Sequence, residues 1–195
     1  MRAAIGILCG GESRRMGQDK AGLLWHGRTM IEHMVAEMGS TGREVLVSVA
    51  SMKDCMKELP ARIVPDIREG CGPLGGIYSV LKASETDAVF FCAVDMPFVT
   101  GQTVEYLKQF LDSDHDGVIF ADGERLHPLC GIYKKSIIPV IEGRLDAGDY
   151  RVRKLPEACR IRQVALSSSP LPERTLWNVN TPEEYDRAVH STGSD

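Results

Sequence analysis

Apolar runs of strand length alternate along the chain with segments whose apolar residues recur at helical spacing. Ala3–Leu8 reads as a strand. In Thr29–Met38 the residues Met30, Ile31, Met34, Val35 and Met38 share one helical face. Val45–Val49 reads as a strand, Met52–Leu59 as a short helix, and Arg62–Val64 as a short strand closed by Pro65. Leu74–Ala83 predicts a helix with Leu74, Ile77, Val80 and Leu81 inward. Ala88–Val94 is continuously apolar, the pattern of a strand buried on both faces. Thr103–Leu111 predicts a helix, and Gly117–Ala121 and Leu129–Tyr133 predict strands around a polar turn at Asp122-Gly123. Ser136–Glu142 predicts a further helix. Periodicity is weakest from Gly143 to Leu176. Trp177–Val179 reads as a last short strand. Thr181-Pro182-Glu183-Glu184 has the form of a capping box, with Thr181 at the N-cap, Pro182 at the first helical position and Glu184 reaching back. Ser191–Asp195 reads as a frayed end.

Strand–helix alternation of this kind predicts an α/β fold, three-layered and Rossmann-like. Its open, mostly parallel sheet carries helices on both faces. The 195 residues are expected to form one domain over 1–195. In such sheets ligands bind beyond the carboxyl ends of the strands, so chemistry is sought there.

Composition narrows the function. An apolar fraction of 43% and a charged fraction of 26% are those of an ordinary globular chain. Lys plus Arg is 23 and Asp plus Glu is 27, giving a net charge of −4. That argues against a nucleic-acid partner, which needs a basic face, but leaves room for a small anionic substrate at a local site. No run of about 18 apolar residues exists, so no membrane span is expected. The apolar start ends at Cys9 in Gly10-Gly11-Glu12-Ser13-Arg14-Arg15, which suits a buried first strand better than a signal peptide. The six cysteines, at 9, 55, 71, 92, 130 and 159, include no CxxC pair. They read as buried apolar side chains in a reducing cytoplasm.

The loop after the first strand, Gly10-Gly11-Glu12-Ser13-Arg14-Arg15-Met16-Gly17-Gln18-Asp19-Lys20, joins flexible backbone to three cations. Adjacent glycines let backbone N–H groups approach an anion, so the loop reads as a phosphate cradle. Five residues separate Gly11 from Gly17 and Gln18 follows, so this is not a P-loop; the dinucleotide pattern GxGxxG is also absent.

Carboxylates stand at other strand ends. Asp95 follows the most apolar strand, where a charge needs compensation, and Mg²⁺ takes one or two carboxylates with phosphate oxygens and water. The other reading of Asp95 is a turn cap. Asp66 leads into the glycine-dense Gly70-Cys71-Gly72-Pro73-Leu74-Gly75-Gly76, a second backbone wall or a plain loop. Asn178 and Asn180 alternate around Val179 and face one side, as metal or phosphate ligands or as turn residues. His26, His33 and His127 have no partners at ligand spacing and read as surface or core histidines. Asp146, Arg151, Arg153 and Lys154 read as a solvated face or as a basic pocket for a second anionic substrate. There is no GxSxG nucleophile elbow.

Taken in order, these elements resemble the molybdenum cofactor guanylyltransferase family. Leu8–Lys20, Asp66, Gly72-Pro73-Leu74-Gly75-Gly76, Asp95-Met96-Pro97, His127-Pro128 and Asn178–Glu184 carry the resemblance, which spans nearly the whole chain. It implies a nucleotidyltransferase with a nucleotide-diphospho-sugar-transferase-like fold. GMP would pass from GTP to the terminal phosphate of molybdopterin or its molybdenum-loaded form, releasing pyrophosphate. Leu8, Cys9, Gly10, Gly11, Lys20, Ser48, Asp66 and Asp95 would then contact the nucleotide. Lys20, Arg15 and Asp95 would be catalytic, and Asp95 and Asn180 would hold Mg²⁺. Cys9 stands where relatives usually carry alanine, and Ser48 where asparagine is common. A molybdoenzyme or cofactor-biosynthesis protein would be the protein partner. Rival readings are a molybdopterin cytidylyltransferase, a sugar-phosphate nucleotidyltransferase and a non-catalytic nucleotide-binding assembly factor.

Overall fold

The structure is a computed structural model that describes residues 2–10, 20–52, 56 and 58–191. The expectations for Gly11, Arg14 and Arg15, for half of a helix over Met52–Leu59, and for the last four residues lie outside the described residues.

The strands are β1 (Ala3–Leu8), β2 (Leu24–Trp25), β3 (Arg28–Thr29), β4 (Val45–Val49), β5 (Arg62–Pro65), β6 (Ala88–Ala93), β7 (Gly117–Asp122), β8 (Arg125–Lys134) and β9 (Ile161–Ala165). The helices are α1 (Met30–Gly39), α2 (Gly72–Ala83), α3 (Gly101–Lys108), α4 (Ile138–Asp146), α5 (Leu155–Ala158) and α6 (Pro182–Ser191). Seven strands form one sheet in the order β5-β4-β1-β6-β8-β7-β9, and β2 and β3 make a separate hairpin. β8 runs against both of its neighbours and every other pairing in the large sheet is parallel.

Every residue of β1, β4 and β6 is buried, and their side chains alternate between two cores. Ile5, Ile7, Val47, Phe90 and Cys92 pack on one face with Met30, Ile31 and Met34 of α1, Val104 and Leu107 of α3 and Ala188 of α6. Ala4, Leu8, Leu46, Val89 and Phe91 pack on the other with Leu74, Ile77 and Leu81 of α2, Ile141 and Leu145 of α4 and Leu155 of α5. The expected three layers are present. Each buried Leu, Ile or Phe removes enough apolar surface from water to contribute about 1.5–3 kcal/mol.

Helix starts follow local chemistry. Thr29 caps α1: its side chain accepts from the Glu32 N–H, and the Glu32 carboxylate accepts from the Thr29 N–H at 2.7 Å. The turn before it places His26 at φ 48° and Gly27 at φ 82°, the two left-handed residues of a tight hairpin.

Four expectations need correction. Trp177–Val179 is not a strand; the Val179 N–H makes one bond, to the Asp95 carbonyl at 2.8 Å. A strand forms instead at β9, parallel to β7 on the sheet edge, where burial is too sparse to leave an apolar signature. α4 begins two residues later than its pattern suggested and continues through Gly143, because Lys135–Ile137 forms a 3-10 turn and Pro139 fits the first helical turn. β8 extends over ten residues despite Pro128, which lacks a ladder donor. The register accommodates it: pairing with β7 jumps from Ile119↔Gly131 to Phe120↔His127.

Of the cysteines described, Cys9, Cys71, Cys92 and Cys130 are buried and Cys159 partly so, and none is in a disulfide. Burial pushes the Cys92 thiol up to about 12, so it is an apolar filler.

Candidate functional site

The carboxyl edge of the parallel strands gathers the polar residues. Backbone bonding carries the sheet one step past the ends of the strands. Cys9 N–H donates to Ser48 O at 2.9 Å, Val94 N–H to Leu8 O at 3.1 Å, and Asp66 N–H to Val49 O at 2.9 Å. This extension places Leu8, Cys9, Ser48, Asp66 and Asp95 side by side on one edge. Gly10 follows directly, with no heavy atom within 4 Å of the position a Cβ would take.

Three segments distant in sequence meet at Asp95. The Lys20 ammonium lies 2.6 Å from Asp95 Oδ2 and 2.6 Å from Asn180 Oδ1. Asn178 Nδ2 donates to Asp95 Oδ1 at 3.0 Å. Both carboxylate oxygens are therefore engaged, and the ion pair is largely shielded, with side-chain exposures of 19% for Lys20 and 13% for Asp95. Shielding strengthens the attraction relative to a surface pair.

Asn178 and Asn180 are brought to this point by two devices. The Val179 N–H bond to the Asp95 carbonyl fixes the segment against the end of β6. The Glu184 N–H donates to Thr181 Oγ1 at 3.2 Å, while the Glu184 carboxylate accepts from the Asn180 N–H at 2.7 Å. The capping box is thus present with its return bond one residue earlier than expected. It clamps Asn180 as well as starting α6.

A second polar pair lies on the other side of β1. Ser48 Oγ donates to Asp66 Oδ1 at 2.6 Å. Asp66 is half-buried, and desolvation raises its carboxyl above the ordinary range while the Ser48 hydroxyl pulls the other way. The floor under this pair is Gly76 of α2: a Cβ there would stand 2.5 Å from Ser48 Oγ and 3.0 Å from Leu8 Cδ2. Ser79 Oγ, accepting from the Ile67 N–H at 2.9 Å, ties the segment after Asp66 to α2.

The mixed-charge run resolves as a solvated face. Asp146 pairs with Arg68 at 2.5 Å and Arg151 with Asp149 at 2.6 Å, and Arg153 is exposed. The cations that line a cavity are others. A chamber of about 640 Å³ opens beside Asn178 and Asn180, walled by Arg125, His127, Trp177 and Arg187 among others. His127 is a core histidine, one of the two readings the sequence allowed. It is 8% exposed, lines the chamber, and its Nε2 has no hydrogen-bond partner among the described residues. Only its place beside Pro128, a breaker inside a strand pattern, hinted at this.

Among the described residues no three His, Cys, Asp or Glu side chains converge as a metal cluster. Asp95 and Asn180 nevertheless supply two hard oxygens that already share one cation, the Lys20 ammonium. Such a pair fits magnesium, which draws its remaining ligands from phosphate and water. No helix among the described residues is long and apolar enough to cross a membrane.

Residues 5–164 match the MobA-like NTP transferase domain. A probable molybdenum cofactor guanylyltransferase of Geobacillus sp. (strain WCH70) is 34% identical over 187 residues, covering 94% of this chain and 96% of its own. The molybdenum cofactor guanylyltransferase of Vibrio parahaemolyticus is 30% identical, covering 91% and 90%. Among solved structures, molybdopterin-guanine dinucleotide biosynthesis protein A of Archaeoglobus fulgidus superposes with a TM-score of 0.86 over 98% of this chain and 100% of its own. Its sequence identity is 22%, so that likeness speaks for the fold.

Proposed function

The chain belongs to the MobA-like NTP transferases, the family of the molybdenum cofactor guanylyltransferases, and on that premise we propose that it transfers GMP from GTP to the terminal phosphate of molybdopterin, releasing pyrophosphate. The observation that carries this reading is the meeting of Lys20, Asp95, Asn178 and Asn180 at the end of the most buried strand.

The chemistry asks for little beyond charge and position. The nucleophile is a phosphate monoester with a second pKa near ~6, already anionic at neutral pH. No general base is needed, in keeping with a site built from a lysine, a carboxylate and two amides. The obstacle is bringing two anions together in line with the leaving pyrophosphate. Lys20 neutralises phosphate charge, joined by Arg15. Asp95 and Asn180 are the residues that would hold Mg²⁺, which would supply further charge neutralisation. Leu8, Cys9, Gly10 and Gly11 line the nucleotide, with Ser48 and Asp66 at its nucleoside end. The whole chain acts as one nucleotidyltransferase domain, and its product passes to a molybdoenzyme or to cofactor-biosynthesis proteins.

Pyrophosphate release from GTP and from CTP, each with and without molybdopterin, tests the reading. Release from GTP that requires molybdopterin is expected. Preference for CTP reassigns the base, and nucleotide binding without release in any arm leaves a binding protein.

A further inference from the structure

Lys20, Asp95, Asn178 and Asn180 are joined by hydrogen bonds of 2.6 Å, 2.6 Å and 3.0 Å, so the three segments that carry them keep a close spacing. Such spacing has to be built, because a displacement of about 1 Å at a reacting group can cost about 10²-fold in rate. The backbone joins two of the segments, through the Val179 N–H bond to the Asp95 carbonyl at 2.8 Å. The link to the segment that carries Lys20 runs through a cluster of rings centred on Trp25.

Trp25 is 3% exposed and stands in β2, five residues after Lys20. Backbone bonds make that stretch one piece with α1: Leu23 N–H donates to Lys20 O at 3.3 Å, and Met30 N–H to Leu23 O at 2.7 Å. The indole meets Phe98, three residues after Asp95, edge-on at 5.6 Å. Phe98 in turn meets Trp177, the neighbour of Asn178, edge-on at 5.9 Å. On another side the indole meets Tyr185 of α6 edge-on at 6.5 Å, and the Tyr185 hydroxyl donates to the Leu24 carbonyl. α6 is the helix whose Glu184 holds the Asn180 N–H. From α1, His33 lies tilted against the indole at 5.8 Å, and its Nε2 donates to the Pro97 carbonyl at 3.0 Å. A carbonyl only accepts, so this nitrogen carries the proton. Each segment that reaches Asp95 thus also reaches one indole. Edge-to-face contact sets ring against ring in angle as well as distance, which aliphatic packing does not.

We propose that Trp25 is a positioning residue for the transfer: its indole sets the place of Lys20 against Asp95 and Asn180, and His33 braces the Asp95 segment against it. The proposal rests on the guanylyl-transfer reading only for the reaction it affects. At 3% exposure Trp25 acts through these residues and not on a substrate. Groups that must sit within fractions of an ångström are held by packed neighbours of this kind.

Trp25→Leu removes the ring and Trp25→Phe keeps one. We expect Trp25→Leu to lower kcat about 10²-fold, to change the KM of GTP less than fivefold, and to be rescued at least tenfold by Trp25→Phe. In a Lys20→Ala background the same change should cost less than threefold, because the group it positions is gone. An undiminished cost in that background overturns the proposal, since independent effects multiply. A second measurement needs no turnover. Lys20→Met and Asp95→Asn, singly and together, give the coupling of the pair from denaturant midpoints, in the unaltered protein and in Trp25→Leu. The coupling should vanish with the ring; equal coupling in both backgrounds overturns the proposal. If Trp25→Leu does not fold, His33→Phe takes its place. It keeps ring volume and deletes the bond to Pro97, and kcat should fall about tenfold, with part recovered in His33→Gln, whose amide can donate. Unchanged kcat in a folded His33→Phe protein overturns the proposal as well. Absence of turnover by the unaltered protein counts against guanylyl transfer alone, because the coupling still decides what Trp25 positions.

Discussion

Lys20 Nζ stands 2.6 Å from Asp95 Oδ2, across 75 positions of sequence. The same ammonium reaches Asn180 Oδ1, across 160 positions. One lysine thus joins the chain before β2 to the end of β6 and to the segment before α6.

Replacing Lys20 with alanine removes the cation that these oxygens share. Turnover should fall about 10²–10³-fold, the usual scale for one preorganised electrostatic contact. Single-turnover rates at saturating GTP check this, and a loss below threefold contradicts it. Calorimetric titration with Mg²⁺ should show the variant binding the ion at least as well as the unaltered protein, since Asp95 and Asn180 no longer compete for the ammonium.

Asp95→Asn retains shape and removes charge. The backbone bond from Val179 N–H to the Asp95 carbonyl survives the change, so the fold should hold, with circular dichroism unchanged. The Lys20 ammonium is left without its counter-charge, and the pair proposed to hold Mg²⁺ loses its carboxylate. Transfer should drop at least 10²-fold. Full activity in a folded Asp95→Asn protein removes this carboxylate from the mechanism.

Asp66 makes stability depend on pH in a definite direction. Its carboxyl is raised above the ordinary 3.8 by burial, so the folded chain holds the proton more tightly than the unfolded chain. Between 3.8 and the raised value the folded state binds more protons, and stability falls as pH rises through that window. Asp66→Asn should flatten this dependence and melt higher at neutral pH. If Asp66 contacts the nucleoside as proposed, the variant should also bind GTP more weakly. Melting curves from about pH 3.5 to 7, with a GTP titration, separate the two effects.

Gly76 and Gly143 both lie in helices and should respond oppositely to alanine. A Cβ at Gly76 meets Ser48 Oγ at 2.5 Å and Leu8 Cδ2 at 3.0 Å. Gly76→Ala should therefore cost about 1–3 kcal/mol by overpacking and disturb the Ser48–Asp66 bond. Nothing lies within 4 Å of a Cβ at Gly143, so Gly143→Ala should stabilise α4 by about 0.4–1 kcal/mol. Denaturant midpoints for the pair decide the matter; equal shifts would show that the packing under Ser48 yields easily.

Sequence by itself determined the alternation of strands and helices, because burial imposes periods of two and 3.6 on neighbouring residues. It marked Asp95 as a charge after a strand buried on both sides, and Thr181–Glu184 as a helix start. It missed β9, whose edge position leaves few buried residues, and read Trp177–Val179 as a strand from alternation alone. Only the tertiary structure decided which polar residues meet. Lys20, Asp95, Asn178 and Asn180 converge because strand order brings three remote segments to one edge, and no local period encodes that order. The same holds for His127. Its sequence neighbours say only that a proline interrupts a strand, whereas its buried Nε2 and its chamber arise from the reversal of β8 and the end of its pairing with β6.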